Sequence, residues 1–361
     1  MTAANLDAFD LASVPLDGEI HEDVLSQLIR VDTWDNPFLA MCSSGRKVGN
    51  PYYSWTTRDY APAVLTGQLI DGADAGANES RTGIRNGNHT QILDKVLRVS
   101  EGAQSANTIV SANELALQIQ ERGVELQRDI SAQLCSNNAS IEGTSAVAGQ
   151  TAGLNAWLNN RNIEDTANTG VIASVASVGG STDGGWPNRV GNTVPGRDYT
   201  GVTPGAITET KLKDVSQSIY EQGGNPVKVL ARPALVRKMS EFFFTAGARI
   251  ATLEGKVDQS EKGGLNAQGR VNVWINDFSA VTIIPDRNLI IADSATASDT
   301  VFVLDPAQLR KVDYQALRIN NLAKTGTADN RQLVWYGGGQ VDAWPLCGSV
   351  VDIDATLAMT V

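Results

Sequence analysis

The chain has 361 residues, of which 42% are hydrophobic and 19% are charged, a composition typical of a globular protein that can bury a sizeable core. Its formal net charge of −11 disfavours direct binding to nucleic acid, because affinity for phosphates comes mainly from clustered lysine and arginine. No stretch is long and apolar enough to predict a membrane-spanning helix, and residues 1–20 lack the regions of a signal peptide, so we expect a soluble, cytosolic protein.

The first third of the chain predicts an arm followed by a long hairpin. Residues 1–45 are polar and acidic, with one short amphipathic stretch, and indicate an arm anchored by a few apolar side chains. Residues 52–57 and 91–100 each have a strand pattern, and we expect them to pair as a long antiparallel hairpin whose tip is the weakly hydrophobic segment 71–80. A two-stranded ribbon is only marginally stable in water, so a neighbouring copy of the chain is the expected support.

One long helix is predicted over residues 111–137. Ser111 and Glu114 have capping-box spacing, which predicts the start of the helix. Apolar residues then recur at helical spacing along about 39 Å, at 1.5 Å per residue. They are Leu115, Ile119, Leu126, Ile130 and Leu134. This helix follows the hairpin directly and would be the strut from which the hairpin projects.

The remainder of the chain predicts an α+β layer and a second long hairpin. Residues 138–204 are rich in Gly, Ser, Thr and Asn and indicate loops with a contact role. Helices are expected after the cap Thr208, with Ile207 and Leu212 at staple spacing, and from Pro233. The expected strands are 226–231, 271–275, 281–284, 289–291, 301–304 and 347–353, and the second hairpin joins 312–322 to 331–341.

Residues suited to catalysis are scarce. His21 and His89 are the only histidines, neither belongs to a motif, and an ordinary structural role is expected for both. No nucleophile signature is present, and the glycine-rich segment 178–185 lacks the spacing of a phosphate-binding loop. We therefore expect neither an enzyme nor a cofactor.

Metal ligands are equally sparse. Asp71, Asp74 and Glu79 could bind a cation only weakly, because they lack the spacing of a calcium loop. The three cysteines are far apart in the sequence, and we expect them to be reduced packing residues: Cys42, Cys135 and Cys347. No metal site is predicted.

The first hairpin carries the predicted assembly interface. Trp274, Trp335 and Tyr336 lie in predicted strands, where aromatic side chains more often belong to the core or to an interface than to a cofactor site. Trp55, by contrast, lies in a hairpin with few partners within its own chain, so we expect its ring to contact another copy. The full predicted set is Tyr52, Trp55, Arg58, Arg81 and Arg85.

The order of these parts resembles the major capsid protein of tailed bacteriophages, which has the Hong Kong 97 fold. Four strings carry the resemblance together with the order and spacing of the parts. They are Gly-Asn-His-Thr-Gln-Ile at 87–92, Glu-Leu-Ala-Leu-Gln-Ile at 114–119, Thr-Ala-Gly-Leu at 151–154 and Asn-Arg-Gln-Leu-Val at 330–334. The resemblance covers nearly the whole chain.

The resemblance implies an α+β shell protein with four parts. Residues 1–45 would be an N-terminal arm and 46–100 an extended loop lying across a neighbour. Residues 101–137 and 305–345 would form the peripheral domain, and 138–304 with 346–361 the axial domain. Copies would assemble as hexamers and pentamers into an icosahedral head of the virion, in the host bacterial cytoplasm, enclosing double-stranded DNA without sequence-specific binding. Portal, scaffold and cement proteins are further implied partners, and no membrane is involved.

Two family features are expected to be absent, and two other functions stay open. Because the sequence begins at Met1, we expect no scaffolding segment to be removed from it. The extended loop has lysine only at its base, Lys47 and Lys95, so a shell without covalent cross-links is expected.

The alternatives to a phage head shell are an encapsulin-type nanocompartment, which encloses an enzyme cargo, and a carboxylate-dependent glycosidase.

Overall fold

The computed structural model describes residues 35–58, 83–106, 113–158, 172–174, 204–241, 273–289, 299–324 and 326–357, together with residue 194 and isolated positions between 60 and 80. Predictions for residues 1–34, for most of the segment 71–80, for 178–185 and for Arg81 and Ser111 fall outside this part of the chain. Within it, no helix is long and apolar enough to span a membrane.

The described helices and strands alternate along the chain. The helices are α1 (Pro37–Met41), α2 (Glu101–Ser105), α3 (Glu114–Cys135), α4 (Leu154–Trp157), α5 (Glu209–Glu221) and α6 (Pro233–Glu241). The early strands are β1 (Ser43–Ser44), β2 (Tyr52–Thr57), β3 (Ile84–His89), β4 (Gln91–Ser100), β5 (Ile172–Ser174) and β6 (Lys228–Ala231). The later ones are β7 (Val273–Ile275), β8 (Ala280–Pro285), β9 (Asp299–Leu304), β10 (Leu309–Asn321), β11 (Ala328–Val341) and β12 (Gly348–Ile353). Single 3₁₀ turns lie at Pro306–Gln308 and Trp344–Leu346.

A four-stranded sheet in the order β1-β10-β11-β4 backs the long helix α3. β10, β11 and β4 are antiparallel, and β11 pairs with β4 without interruption from Gln91↔Gly337 to Ser100↔Ala328. Alternate residues of β4 face the helix, and Leu97 and Val99 are buried there. The second predicted hairpin is therefore confirmed, with the bounds of β10 and β11.

The predicted partner of residues 91–100 is wrong. β2 pairs with β3, in the register Tyr52↔His89 to Thr57↔Ile84, whereas β4 joins β11. All ten residues of β4 can pair with the 14-residue strand β11, whereas β2 has only six residues. This pairing also buries the apolar side of β4 under α3. The sequence did not predict β3, because its residues, Ile-Arg-Asn-Gly-Asn-His, do not alternate between apolar and polar.

The long helix is confirmed, but its predicted cap is wrong. Asn113 is the N-cap, and its side chain accepts a hydrogen bond from the amide of Ala116 at 3.1 Å. Glu114 is consequently the first helical residue, whereas a capping box requires the glutamate at the third helical position. Asparagine caps a helix as well as serine does, so either residue type could have started this one.

A six-stranded sheet in the order β5-β12-β9-β6-β8-β7 forms the second layer. Every residue of β9 and β12 is buried, so this sheet holds much of the core. α5 packs on it with the predicted cap, since the hydroxyl of Thr208 accepts from the amide of Lys211, and the helix ends before Gly223 at φ +88°. The strands predicted at 226–231, 271–275, 281–284, 301–304 and 347–353 are confirmed with shifted ends, while 289–291 falls largely outside the described residues.

Of the three aromatic side chains named in predicted strands, two lie in the core, and Tyr336 is half-buried. Trp335 is fully buried and Trp274 is 4% exposed, and both belong to the main hydrophobic cluster. Cys135 and Cys347 are buried thiols, as expected of packing residues, and Cys42 is half-buried. The division into arm, extended loop, peripheral domain and axial domain stays a prediction.

Candidate assembly interface

Described positions in the connection between β2 and β3 expose large apolar side chains. Among the described positions beyond Thr57, Tyr60 is 98% exposed, Leu65 90% and Ile70 84%. Surface side chains of this size are normally scattered singly, whereas here three fall within eleven residues. We call residues 58–83 the extended arm.

The hairpin is fixed to the rest of the chain by a buried joint centred on Asn88. Its amide nitrogen Nδ2 donates to Thr151 Oγ1 at 3.0 Å and to the carbonyl of Gly339 at 2.8 Å. Its oxygen Oδ1 accepts from the backbone amides of Ala152 and His89, both at 2.9 Å. Asn88 is fully buried, so these bonds replace the water that both ends of the amide would otherwise bind.

Tyr53 reinforces the joint from the opposite strand of the hairpin. Its hydroxyl donates to the carbonyl of Gly339 at 2.5 Å, and burial raises its pKa well above the ordinary value. Gly338 makes this approach possible, because a Cβ at that position would lie 2.7 Å from Tyr53 Oη and 2.8 Å from Thr151 Oγ1. Gly338 therefore lets the hairpin base sit directly on the sheet.

His89 has the structural role that the sequence predicts. Its ring nitrogen Nδ1 lies 2.9 Å from Ser140 Oγ, and its ring centroid lies 5.0 Å from that of Tyr52. Burial lowers the pKa of the imidazole, and the carboxylate of Glu142 offsets part of that shift. The neutral form is thus favoured at the joint.

The reason for placing Trp55 at an interface is wrong. Its ring packs on Trp157 with 5.2 Å between centroids, stacks on Tyr53 at 6.0 Å, and its indole nitrogen donates to the carbonyl of Asp342 at 3.2 Å. The ring therefore finds its contacts within its own chain. Residues 151–158 supply a partner that the local sequence around Trp55 does not reveal.

The other predicted interface residues lie at the base of the arm. Tyr52 is half-buried beside His89, and Arg58 is exposed at the end of β2. The guanidinium of Arg85 donates to Ser54 Oγ at 3.0 Å across the hairpin. Arg81 falls outside the described residues. Tyr52, Trp55 and Arg85 all lie on the β2-β3 hairpin, but their contacts with another copy stay a prediction.

Comparison with known proteins identifies the family. The family model described as SU10 major capsid protein matches residues 2–353. The chain belongs to the SU10 major capsid protein family.

A curated relative agrees with this family. The major capsid protein of Escherichia phage Phieco32 is 30% identical over 105 residues, which are 29% of this chain and 30% of that relative. The match thus spans under a third of the curated relative.

Two solved structures share the fold. The capsid asymmetric unit of cyanophage A-1(L) has a TM-score of 0.57 and 12% identity, covering 89% of this chain and 93% of that one. An encapsulin complex of Synechococcus elongatus PCC 7942 has a TM-score of 0.52 and 11% identity, covering 99% of each chain. The predicted resemblance to major capsid proteins of tailed bacteriophages is confirmed, and so is the α+β fold class of the Hong Kong 97 type.

Two of the strings on which the resemblance rested meet in space at the joint. Asn88 comes from the string at 87–92, and Thr151 and Ala152 come from the string at 151–154. Sequence reasoning missed Asn88, Thr151 and Tyr53 as the side chains that hold the hairpin. The signal was present as two polar motifs whose contact only the fold reveals.

The described residues contain no group of three or more His, Cys, Asp or Glu side chains that could hold a metal ion. Burial raises the pKa of the Cys347 thiol to about 12, and that of Cys42 also to about 12. Neither thiol is activated as a nucleophile at neutral pH. The family itself is one of structural capsid proteins.

Proposed function

We propose that the chain is the structural subunit of the icosahedral head shell of a tailed phage, without an enzymatic role. The family match over residues 2–353 is the observation that carries this proposal. Copies would form hexamers and pentamers in the cytoplasm of the host bacterium and become part of the virion, with portal, scaffold and cement proteins as further partners.

The extended arm supports assembly through contacts between copies. Its exposed apolar side chains gain stability only when another surface covers them, and each such contact is weak alone. Many repeated contacts add up in a closed shell, because each subunit is held by several neighbours at once. We infer that the arm lies across a neighbouring copy.

The charge of the chain supports enclosure of DNA without binding to it. A net charge of −11 repels phosphate at distances near the Debye length of about 8–10 Å. Packaged DNA would consequently be kept from adhering to the wall.

The nanocompartment alternative has one observation in its favour, the shared fold with the cyanobacterial encapsulin. That likeness at 11% identity concerns the fold alone, whereas the family match is to capsid proteins. Particles that contain DNA support the head shell. Particles that hold a protein cargo and no DNA would support the nanocompartment.

Electron microscopy and sedimentation of the purified full chain test the proposal. Closed shells or capsomer-sized rings are expected, and a variant lacking residues 71–80 should yield fewer of them because its arm is shortened. A matched control deletes residues 145–147, an exposed segment outside residues 58–83, and should assemble normally. A monomer with glycosidase activity would overturn the proposal.

A further inference from the structure

A small cavity lies where helix α1, the end of α3, helix α4 and the β10-β11 ladder meet. Its lining includes one side chain from each of these elements: Phe38, Leu134, Trp157, Leu309 and Gln340. A cavity holds a water molecule when the space open to the centre of that molecule is at least about 10–15 Å³. Here that space is about 20 Å³, so the cavity has room for one water molecule.

Two of the side chains that line the cavity have a buried polar atom without a protein partner. Trp157 is 1% exposed, and its indole Nε1–H has no acceptor among the described residues. The amide oxygen Oε1 of Gln340 is buried as well and has no donor in the same part of the chain. Buried polar atoms in folded proteins are nearly always bonded to protein or to ordered water. A donor and an acceptor beside one cavity therefore indicate a ligand that bonds to both.

The chemistry of the two atoms selects the ligand. Gln340 Nε2 donates to Asp342 Oδ1 at 2.5 Å. Because a carboxylate accepts hydrogen bonds, the amide nitrogen must face Asp342, and Oε1 is left as an acceptor. The indole Nε1–H of Trp157 can only donate. Water accepts from one and donates to the other, whereas a cation is repelled by the N–H group and an anion cannot donate to the amide oxygen.

The neighbouring contacts connect this cavity to the base of the first hairpin. The ring of Trp157 packs on that of Trp55, with 5.2 Å between centroids, and Trp55 Nε1 donates to the carbonyl of Asp342 at 3.2 Å. Arg310 Nε donates to the carboxylate of Asp342. Arg310 also lines the cavity, and its other N–H groups are further donors for a ligand there. A ligand between Trp157 and Gln340 would close this ring of contacts.

We propose that the cavity is a binding site for one ordered water molecule, which accepts from Trp157 Nε1–H and donates to Gln340 Oε1. The water is a structural ligand, because it satisfies both polar atoms and joins α4 to β11 beside the hairpin base. This site does not depend on the proposed function.

A crystal structure or cryo-electron microscopy map of the full chain, at a resolution that shows ordered waters, tests the site. A density peak is expected within about 2.7–3.2 Å of both Trp157 Nε1 and Gln340 Oε1. Trp335 is the matched comparison, because it is fully buried and its Nε1 donates to Asp313 Oδ1 at 2.6 Å, so no water is expected there. An empty cavity in a map that shows other buried waters would overturn the proposal.

X-ray hydroxyl-radical footprinting of the full chain is an independent test in solution. Radiolysis of a bound water produces radicals beside the side chains that hold it, so Trp157 should be oxidised several-fold faster than Trp335, although both are buried. Gln340→Leu removes the acceptor and should lower the oxidation rate of Trp157 several-fold while that of Trp335 stays unchanged. Equal rates for the two tryptophans in the wild type would overturn the proposal, whether or not the variant folds.

Discussion

At the scale of single residues, Asn88 shows how one side chain can fix a hairpin to a sheet. It contacts three segments that are distant in sequence, at residues 89, 151–152 and 339. A buried amide in this position stabilises only one arrangement of these segments, because any other would leave its polar atoms without partners. The joint therefore defines where the hairpin leaves the sheet.

Replacing Asn88 with leucine should lower the free energy of unfolding by roughly 3 kcal/mol or more, since several buried partners would each lose a hydrogen bond worth about 1–3 kcal/mol. Urea denaturation of the unassembled chain measures the change. Asn86 is a matched control on the same strand; it is also buried, but among the described residues its side chain bonds only to Thr57 Oγ1, at 3.1 Å. An equal loss for Asn86→Leu would contradict the central role of Asn88.

His89 should make stability depend on pH. Burial holds its pKa below the ordinary 6.5, so the unfolded chain takes up a proton at higher pH than the folded chain does. Stability is expected to fall as pH decreases below 6.5 toward the lowered pKa. Comparing urea midpoints at about pH 7.5 and about pH 5.5 for the wild type and His89→Asn measures this contribution. A variant with the wild-type pH dependence would refute it.

At the scale of elements, the molecule depends on close contact between a hairpin, a sheet and one long helix. The second half of α3 buries Leu126, Ile130 and Leu134, whereas Leu115 and Ile119 near its start are only partly buried. The first turns therefore gain less from packing, and local interactions such as the cap matter more there.

Asn113→Ala should destabilise the chain by about 1 kcal/mol, because the amide of Ala116 loses its side-chain acceptor. Asn113→Ser should stay within a few tenths of a kcal/mol of the wild type, since serine caps equally well. Thermal unfolding monitored by circular dichroism checks both. Equal stability of the alanine and serine variants would show that the cap contributes nothing.

Gly338→Ala should loosen the joint between hairpin and sheet. The added methyl group would meet Tyr53 Oη and Thr151 Oγ1 and should cost about 1–3 kcal/mol. Hydrogen exchange of residues 84–91 is expected to accelerate. Gly102→Ala is the matched control, because a Cβ there meets nothing within 4 Å and lies in α2. Faster exchange in the control alone would contradict this account of Gly338.

At the scale of the whole molecule, the base of the first hairpin is tied to the four-stranded sheet. β4 pairs with β11, and Asn88 of β3 donates to the carbonyl of Gly339 in β11, so the hairpin base is fixed to the sheet on which α3 packs. Shells of many copies can use such weak but repeated contacts because multiplicity raises the overall stability.

The shell should be held without covalent cross-links between subunits. Lys47 and Lys95 are the only lysines in residues 46–100, and Lys95 is paired with Asp129 of its own α3 at 2.6 Å. Particles boiled in SDS without reductant are expected to run as a single band of one chain. A ladder of higher bands would contradict this expectation, and repeating the gel with reductant would separate disulfides from other links.

The sequence by itself determined the elements whose signals are local. The apolar stripe of α3, the staple and cap of α5 and the turn-linked strands β10 and β11 follow from spacing within a few turns or residues, and their order identified the family. Only the tertiary structure decided that β4 pairs with β11, that Trp55 packs on Trp157 and that Asn88 bonds to Gly339, 251 residues away. Backbone ladders form between any two strands of suitable length, so pairing depends on which arrangement buries the most apolar surface and leaves the fewest polar groups unbonded.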